Sequence, residues 1–351
     1  SHIQLLHVQF WKEKGNKVKK IICFIIIGLL SFMFIGCNDN KLQKIELAEV
    51  THSIFYAPLY VAINNGYFEE EGLEISLVNA GGADKVMAAL LSKESDIGLA
   101  GPESTIYVYN NGQSDYMINF AQLTKRDGSF IVGREKEEDF TLQSLKGKSI
   151  LGGRVGGVPE MTLEYVIKQA GLSVGRDEEG KDVLVRTDIQ FNAMTGAFLN
   201  GEGDYTTMFE PTATLLEKEG KAYVLASVGE FTDEIPFTSF YVTKSYLNKN
   251  QETIEKFIKA LYRGQQFVFE STDEDVAKAV VSFFTDSTIE DLTKVIARYR
   301  EADVWCDTPY FKEDGLNRLM DVMEEAGELD KRAPFSAIVD NSFVEKVLKK
   351  H

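Results

Sequence analysis

Apolar and polar positions between residues 45 and 104 follow two alternating periods. Leu73, Ile75 and Leu77 occupy every second position, which is typical of a half-buried strand. Val86 and Leu90 are four residues apart, as on one face of a helix. The segment predicts three strands, each followed by a helix, at residues 45–50, 73–77 and 97–100.

The strand–helix repeats also indicate where a ligand is bound. Such repeats form a mostly parallel sheet, and ligands of these sheets bind at the carboxyl ends of the strands. In this segment those ends fall at residues 52–56 and 102–104, and Pro102 suits the first turn of the following helix. We therefore expect a small molecule to bind there.

A second strand–helix series follows, whereas the pattern of the last hundred residues predicts helices alone. A glycine-rich loop, GGRVGGV at residues 152–158, precedes a helix that begins at Pro159 and ends at Gly171. The series predicts strands at residues 149–151, 183–189, 205–209 and 223–228, and a charged hairpin or loop at 176–182. Residues 251–348 are almost wholly helical by pattern, with breaks near Ser271, Asp286, Pro309 and Gly327.

The two α/β series indicate two lobes. We expect the chain to cross from one lobe to the other near residues 129–133 and to return near residues 235–242. Lobe I then comprises residues 37–133 and 237–351, and lobe II comprises residues 134–236.

The first 36 residues have the features of an export signal. Five lysines between Lys12 and Lys20 precede an uninterrupted apolar or small run at residues 21–35. That run is shorter than the roughly 20 residues of a membrane-spanning helix. Residues 1–17, which include three of these lysines, lack a starting Met. We leave residues 1–36 out of the fold prediction.

Composition excludes one large class of partner. The 351 residues carry a formal charge of −16 and suffice for about two domains. Residues 1–36 hold five Lys and one Glu, so the remainder has 33 basic and 53 acidic residues. Such a surface repels phosphate backbones, and we expect no nucleic acid as a partner.

Cysteine and histidine are too few for the common catalytic and metal sites. Cys23, Cys37 and Cys306 form no metal-ligand spacing, and only His52 of the four histidines lies inside the predicted globular part. We therefore expect no metal, no cofactor and no Ser–His–Asp triad.

Several motifs together resemble a known family. In order they are APLYVAINNGYFEEEGLEISLV, LLSKESDIGLAGPES, LQSLKGKSILGG, the glycine-rich loop and FEPT. Each motif alone is weak, but their order resembles solute-binding proteins of ABC importers of the sulfonate/nitrate/taurine type. That group includes binding proteins for thiamine pyrimidine precursors. The resemblance covers residues 45–242 by motif and the helical tail by pattern only.

The resemblance implies a fold and a way of working. The fold is α/β, of the type II periplasmic-binding class, with two α/β lobes, two crossing strands and a helical C-terminal region. The lobes close over one solute, and a membrane permease recognises the closed form. We expect a monomer that performs no chemistry on its solute.

The end of the apolar run resembles a bacterial lipobox. Gly36 and Cys37 match it, with Cys37 as the lipidated first residue of the mature protein, whereas Phe34 and Ile35 depart from the usual pattern. This implies an extracytoplasmic protein with a lipid anchor in the cell membrane. The alternative is an uncleaved anchor in which the cysteine is incidental.

The expected ligand-binding residues fall into four groups around the cleft. The ring-bearing residues are His52, Phe55, Tyr56, Phe209 and Phe237. The carboxylates, each beside a Pro at a strand-to-helix turn, are Glu103, Glu160 and Glu210. The residues at helix N-termini, where unpaired N–H groups face the cleft, are Ser104, Gly156, Gly157 and Val158. The fourth group is cationic and consists of Arg126, with Arg154 as a second candidate to neutralise an anion.

Two kinds of solute remain open. Three carboxylates in one cleft favour a ligand that donates hydrogen bonds or carries positive charge, such as an aminopyrimidine or another nitrogen heterocycle. An inward-pointing Arg126 or Arg154 would instead suit a sulfonate, taurine or nitrate.

Two other functions are compatible with the same fold or the same cleft. Thiamine pyrimidine synthases share the fold, and the resemblance implies that they need a cysteine-rich motif, histidine and iron. This chain has only Cys37 and Cys306 after the predicted cleavage site. A sensor or adhesin lipoprotein would use the same cleft without a transporter, and sequence does not separate it from an import protein.

Overall fold

The structure, a computed structural model, describes residues 41–176 and 180–350. The predicted signal peptide and Cys37 lie outside the described residues, as do positions 177–179 of the predicted charged loop. Within the described part of the chain, no helix combines the length and apolar character needed to cross a membrane.

A five-stranded sheet contains the first three predicted strands. Its strands are β1 (Gln43–Glu49), β2 (Leu73–Asn79), β3 (Ile97–Ala100), β4 (Met117–Thr124) and β11 (Thr238–Thr243). The spatial order is β2-β1-β3-β11-β4, in which β1 runs parallel to β2 and β3. β11 lies antiparallel between β3 and β4.

A six-stranded sheet contains the second series. Its strands are β5 (Phe130–Gly133), β6 (Lys148–Leu151), β7 (Val174–Gly175), β8 (Val183–Arg186), β9 (Tyr205–Met208) and β10 (Tyr223–Ser227). The order is β10-β5-β9-β6-β8-β7, with β6 parallel to β8 and β9. β8 ends three residues before the predicted end, where Arg186 binds Asp188 and Glu202. β7 was not predicted.

Helices surround both sheets. In chain order they are α1 (Ala57–Asn64), α2 (Tyr67–Glu70), α3 (Ala83–Leu91), α4 (Glu103–Asn110), α5 (Val158–Gln169), α6 (Met194–Leu199), α7 (Thr212–Lys218), α8 (Lys244–Lys249), α9 (Gln251–Glu270), α10 (Asp273–Val280), α11 (Ile289–Glu301), α12 (Glu313–Glu325), α13 (Phe335–Ile338) and α14 (Ser342–Leu348). Short 3-10 turns occur at Ile54–Tyr56, Leu142–Leu145, Phe191–Ala193, Gly229–Phe231 and Val281–Phe283. The type II periplasmic-binding fold expected from the resemblance is present, and its C-terminal region is helical.

The chain passes between the sheets twice, at residues 125–129 and 228–237. The two passages run side by side, since Ile235 N–H donates to Lys125 C=O (2.9 Å) and Val228 N–H donates to Ser129 C=O (3.1 Å). β5 pairs antiparallel with β9 and β10, so it belongs to the second sheet. The predicted lobe boundary placed that strand in lobe I.

The long helix α9 packs against α1 through a glycine. A Cβ added at Gly264 would lie 2.2 Å from the backbone oxygen of Pro58, so only glycine permits this approach. Two turns earlier in α9 the contact is aromatic: the Phe257 ring lies 5.0 Å from Phe68 and 5.1 Å from Phe240 of β11. These buried rings pack α9 against the first sheet.

Candidate ligand-binding site

A cavity lies between the two sheets, where strands from both of them end. About 680 Å³ of space free of protein atoms lies within it, open solvent included. We call it the first chamber. Its lining comes from the carboxyl ends of β1, β2 and β3 in the first sheet and of β6, β8 and β9 in the second.

Nine of the expected residues line the first chamber. They are Phe55, Tyr56, Glu103, Arg154, Gly157, Val158, Glu160, Phe209 and Phe237. A second chamber adjoins the first, with about 910 Å³ between its walls on the same measure, and it is lined by His52, Phe209 and Glu210 among others. Ser104, Arg126 and Gly156 line neither chamber.

Three phenylalanines form one aromatic wall of the first chamber. The ring of Phe55 lies 5.5 Å from that of Phe209 and 5.6 Å from that of Phe237. Phe55 and Phe237 are buried, and Trp305 holds Phe55 in place by donating from Nε1 to its backbone oxygen (2.9 Å). The rings are inclined to one another by 48° to 75°, so the wall offers apolar ring faces and edges for contact with a ligand.

Glu103 is the first residue of α4 and reaches the chamber from the turn after β3. Gly101 makes this possible, because a Cβ there would lie 2.0 Å from Glu103 Oε2 and 2.9 Å from a methyl group of Val158. The side chain is buried, and Oε2 has no hydrogen-bond partner among the described residues. A buried carboxylate oxygen without a partner is unfavourable, so a hydrogen-bond donor from a ligand would stabilise it.

Burial raises the pKa of Glu103 to about 7. The charge of Arg154 and the backbone amides of Glu103, Val158 and Ser104 act in the opposite direction. The carboxyl group is therefore about half protonated at neutral pH, and a bound group decides which form prevails.

Arg154 reaches the chamber from the glycine-rich loop and faces Asp84 at the start of α3. Arg154 Nε lies 3.7 Å from Asp84 Oδ1, and both side chains are partly exposed. The pair joins the two walls of the chamber. Arg154 is thus already flanked by the carboxyl groups of Asp84 and Glu103.

Glu160 lines the chamber but is engaged by its neighbours. Its Oε2 accepts from Gly156 N–H (3.1 Å), and its Oε1 lies 3.3 Å from Arg176 Nε. Burial and the neighbouring Glu164 raise the pKa of Glu160. Glu160 therefore keeps its proton, while Arg176 donates to Glu164 Oε1 (2.8 Å).

Glu210 is fully used inside the protein. Its Oε1 accepts from Arg298 Nη1 (2.6 Å) and from Thr214 Oγ1 (2.8 Å), and its Oε2 accepts from Thr214 N–H (2.9 Å). The backbone N–H of Glu210 donates to the Tyr299 hydroxyl (3.1 Å). The carboxylate thus caps α7 and binds α11, and it has no oxygen free for a ligand.

His52 is likewise held at both ring nitrogens. Nδ1 lies 2.8 Å from Glu49 Oε1, and Nε2 lies 2.9 Å from the backbone oxygen of Phe283. Burial lowers the pKa of His52, but the hydrogen bond and charge of Glu49 outweigh it, so the pKa is raised. The Phe284 ring stacks on the imidazole at 4.9 Å. His52 lines the second chamber with both ring nitrogens already in contact with protein atoms.

The three expected residues outside both chambers have other partners. Ser104 Oγ donates to the Gly101 backbone oxygen (2.9 Å), and the Gly156 backbone oxygen accepts from the Tyr107 hydroxyl (2.9 Å). Arg126 donates to the Thr232 backbone oxygen and lies 3.7 Å from an Asp303 oxygen.

Several lining residues were not expected from the sequence. They include Thr51, Gly81, Gly82, Asp84, Gly152, Gly153, Gln190, Phe191 and Thr238. Residues 81–84 follow β2 in the same way that residues 101–104 follow β3, so the strand-to-helix pattern contained a signal. It was interpreted only as the start of a helix.

Comparison with known proteins identifies the family. The profile of the family described as "NMT1/THI5 like" matches residues 54–275. A protein of Bacillus subtilis (strain 168) named "Putative binding protein YtlA" is 41% identical over 327 residues, covering 92% of this chain and 96% of that protein. The chain belongs to the NMT1/THI5-like family.

Two further likenesses are more distant. The Saccharomyces cerevisiae (strain ATCC 204508 / S288c) enzyme named 4-amino-5-hydroxymethyl-2-methylpyrimidine phosphate synthase THI13 is 24% identical over 225 residues, covering 61% of this chain and 63% of that protein. The alkanesulfonate-binding protein SsuA from Xanthomonas axonopodis pv. citri, solved with MOPS bound, superposes with a TM-score of 0.68 at 16% identity, covering 86% of this chain and 99% of that one. The fold is that of solute-binding proteins of ABC importers, and the predicted resemblance is confirmed.

Proposed function

We propose that the protein is the extracytoplasmic solute-binding component of an ABC importer, and that it captures a nitrogen heterocycle such as a pyrimidine precursor in the first chamber. The observation that carries this proposal is Glu103, a buried residue of the chamber lining whose Oε2 has no hydrogen-bond partner among the described residues. A ring N–H or amino group of the ligand supplies a donor to this carboxyl group.

The remaining lining supports the same kind of ligand. A hydrogen bond to an ionised carboxylate contributes about 1.5–3 kcal/mol, more than one between neutral groups. The phenylalanine wall of Phe55, Phe209 and Phe237 adds apolar and aromatic contacts for a ligand ring. An aminopyrimidine uses both features at once.

An anion is the second candidate, and the sulfonate-binding structural relative favours it. For a sulfonate to bind, Arg154 would have to turn from Asp84 to the ligand, and Glu103 would have to stay protonated. Asp84 would then stand unpaired near the anion. This lining therefore supports a donor-bearing heterocycle better than a sulfonate, taurine or nitrate.

Capture follows from the position of the chamber. Its walls come from both sheets, so a ligand that contacts both stabilises the closed arrangement. We take the passages at residues 125–129 and 228–237 as the hinge between lobe I and lobe II. The partner is an ABC permease, the protein acts as a monomer, and Cys37 carries the lipid anchor to the cell membrane.

The synthase alternative has less support. Both ring nitrogens of His52 are engaged, and the thiol of Cys306 is buried and lines neither chamber. These side chains offer no reactive pair beside a bound ring. A sensor without a permease would use the same site. The neighbouring genes distinguish the two functions, because an adjacent pair of permease and ATPase genes would favour transport.

Isothermal titration of the protein with aminopyrimidines, and in parallel with alkylsulfonates, taurine and nitrate, tests the proposal. We expect aminopyrimidines to bind and Glu103→Gln to weaken them about 10- to 100-fold, the equivalent of one charge-assisted hydrogen bond. Asp127→Asn is the matched control, because Asp127 is also a buried carboxyl group with an unpartnered oxygen but lines neither chamber. Tight binding of sulfonates that Glu103→Gln leaves intact would overturn the proposal.

A further inference from the structure

Helix α12 of lobe I reaches from the hinge passage at residues 228–237 to lobe II. Its first turn lies beside Pro236, since a Cβ added at Gly315 would lie 3.3 Å from Pro236 Cδ. Further along the helix, Arg318 Nε donates to the Glu234 backbone oxygen (2.6 Å). A helix of 13 residues is about 20 Å long, so the other end of α12 is far from this passage.

Two cations of lobe II bind the far end of α12. Arg176 Nη2 donates to the Ala326 backbone oxygen (3.1 Å), and Nη1 donates to the carboxylate of Glu328 (2.7 Å). Lys168 Nζ donates to the Glu325 backbone oxygen (3.1 Å). The last carbonyl groups of a helix have no partner within it and carry partial negative charge, so cations are favourable there.

Helix α5 fixes the position of Arg176 on the lobe II side. Nε of Arg176 donates to Glu164 Oε1 (2.8 Å) and lies 3.3 Å from Glu160 Oε1. Lys168 Nζ lies 3.7 Å from Glu164 Oε2. Because both glutamates are buried, α5 holds the planar guanidinium in place and presents its Nη atoms to α12.

The same helix forms part of the wall of the first chamber. Residues 157–160, at its start, line the chamber. The loop before it contacts lobe I, since the Gly156 backbone oxygen accepts from the Tyr107 hydroxyl (2.9 Å) and a Cβ added at Gly156 would lie 3.5 Å from Glu328 Oε2. Separation of α5 from the end of α12 would therefore move this wall away from lobe I.

The ion pair between Arg298 of lobe I and Glu210 of lobe II occupies a different place. It lies beside the hinge, because the neighbouring Tyr299 hydroxyl donates to the Gly128 backbone oxygen in the passage at residues 125–129 (2.8 Å). Rotation about a hinge separates nearby atoms little and distant atoms much. The contact at the end of α12 therefore opposes opening more effectively than this ion pair does.

We propose that Arg176 and Lys168 latch α5 to the end of α12, and that this latch slows the release of solute from the closed cleft. The inference rests on the proposed capture between the two lobes, but it holds for any solute. Arg176, Lys168 and Glu328 line neither chamber, so they act as positioning residues.

Glu328→Gln tests the latch without altering the chamber. The change keeps the size of the side chain and removes the charge that Arg176 binds. In stopped-flow experiments with 4-amino-2-methylpyrimidine as the probe, we expect release to become about three- to fivefold faster, the equivalent of one partly exposed ion pair.

Hydrogen exchange of the protein alone gives a second readout. Opening of the cleft exposes the backbone at residues 101–104 and 156–160, so these segments should exchange about three- to fivefold faster in Glu328→Gln. Raising the NaCl concentration from about 50 mM to about 500 mM should speed this exchange in the wild type and have less effect in the variant, because salt screens partly exposed charges.

Glu324→Gln is the matched control on the same helix. Glu324 pairs with Arg332, and both residues belong to lobe I, so exchange and release should remain as in the wild type. Combining Arg176→Gln with Glu328→Gln should have no larger effect than Arg176→Gln alone, because the two side chains act as a pair. Circular dichroism and melting temperature confirm that the variants are folded.

The possible outcomes separate the latch from the identity of the solute. Unchanged exchange in Glu328→Gln, or an equal change in Glu324→Gln, would overturn the latch. If the probe binds, release that is no faster in Glu328→Gln would also overturn it. If the probe does not bind, the proposed solute is wrong, and hydrogen exchange alone decides on the latch.

Discussion

Two strand-to-helix turns each place a glutamate beside a proline, but the two carboxylates have different surroundings. Glu103 follows Pro102 after β3, and Glu210 precedes Pro211 after β9. The Glu210 carboxylate is bound by Arg298 and Thr214, whereas Oε2 of Glu103 is left without a described partner beside a cavity. A carboxylate at a sheet edge is therefore structural or ligand-binding according to what the rest of the chain brings to it.

The largest expected effect is on stability, and it tests the structural role of Glu210. Glu210→Ala should lower the free energy of unfolding by about 4 kcal/mol, because it leaves a partly buried Arg298 without its main partner and uncaps α7. Urea denaturation at neutral pH measures the change.

Glu290→Ala is the control for this variant. Its carboxylate pairs with Lys294 on an exposed helix face, and such pairs contribute less than about 0.5 kcal/mol. A loss at Glu210 no larger than that at Glu290 would show that the turn after β9 is not held by this ion pair.

A slightly smaller effect concerns pH. The pKa of Glu103 is raised to about 7 in the folded protein, so the folded state retains a proton that the unfolded chain has lost above the ordinary value of 4.5. Its contribution to stability is present below pH 4.5 and is lost as the pH rises to about 7. Glu103→Gln removes this loss, so the fall in unfolding free energy from pH 5 to pH 8 should be about 3 kcal/mol smaller than in the wild type.

Asp127, in the passage between the sheets, is the control for Glu103, because it is also a buried carboxyl group. Burial raises the pKa of Asp127 to about 7, and its Oδ1 accepts from Ser129 N–H (2.7 Å) and Oγ (2.6 Å). Asp127→Asn should flatten the pH dependence of stability as Glu103→Gln does, without changing ligand affinity. An unchanged pH profile in both variants would contradict the assigned protonation of these buried groups.

Much of the fold was predictable because the signals are local. The strands near residues 45–50, 73–77 and 97–100, and the helix breaks near Ser271 and Gly327, follow from short-range periodicity and turn residues. β7 has only two residues and lies outside the range of such patterns. β5 was placed in the wrong sheet by the predicted boundary, because its partners β9 and β10 follow more than 70 residues later.

The site was predictable in position but not in chemistry. Strand-to-helix turns of the two sheets put Glu103 and Glu160 beside the first chamber and Glu210 beside the second. Which of them is free depends on Arg176 and Arg298, and Arg298 lies 88 residues from Glu210. No spacing rule connects such residues, so the pairing becomes visible only in the structure.

The same limit applies to the cationic residues. Arg126 and Arg154 are equivalent by sequence, yet Arg126 lines neither chamber and Arg154 faces Asp84 from the opposite wall. Arg154 and Asp84 are 70 positions apart, so the sequence does not show that they pair across the cleft. Without that pairing, the sequence leaves the charge of the solute open.

The most direct test of the central claim is the number of protons exchanged on binding. Titration of an aminopyrimidine that stays neutral near pH 7, in buffers of different ionisation enthalpy, yields this number. A ligand that donates to Glu103 favours the ionised carboxylate, so the wild type should release about half a proton at pH 7, and Glu103→Gln should release none. Proton uptake by the wild type, or release that persists in Glu103→Gln, would contradict the account.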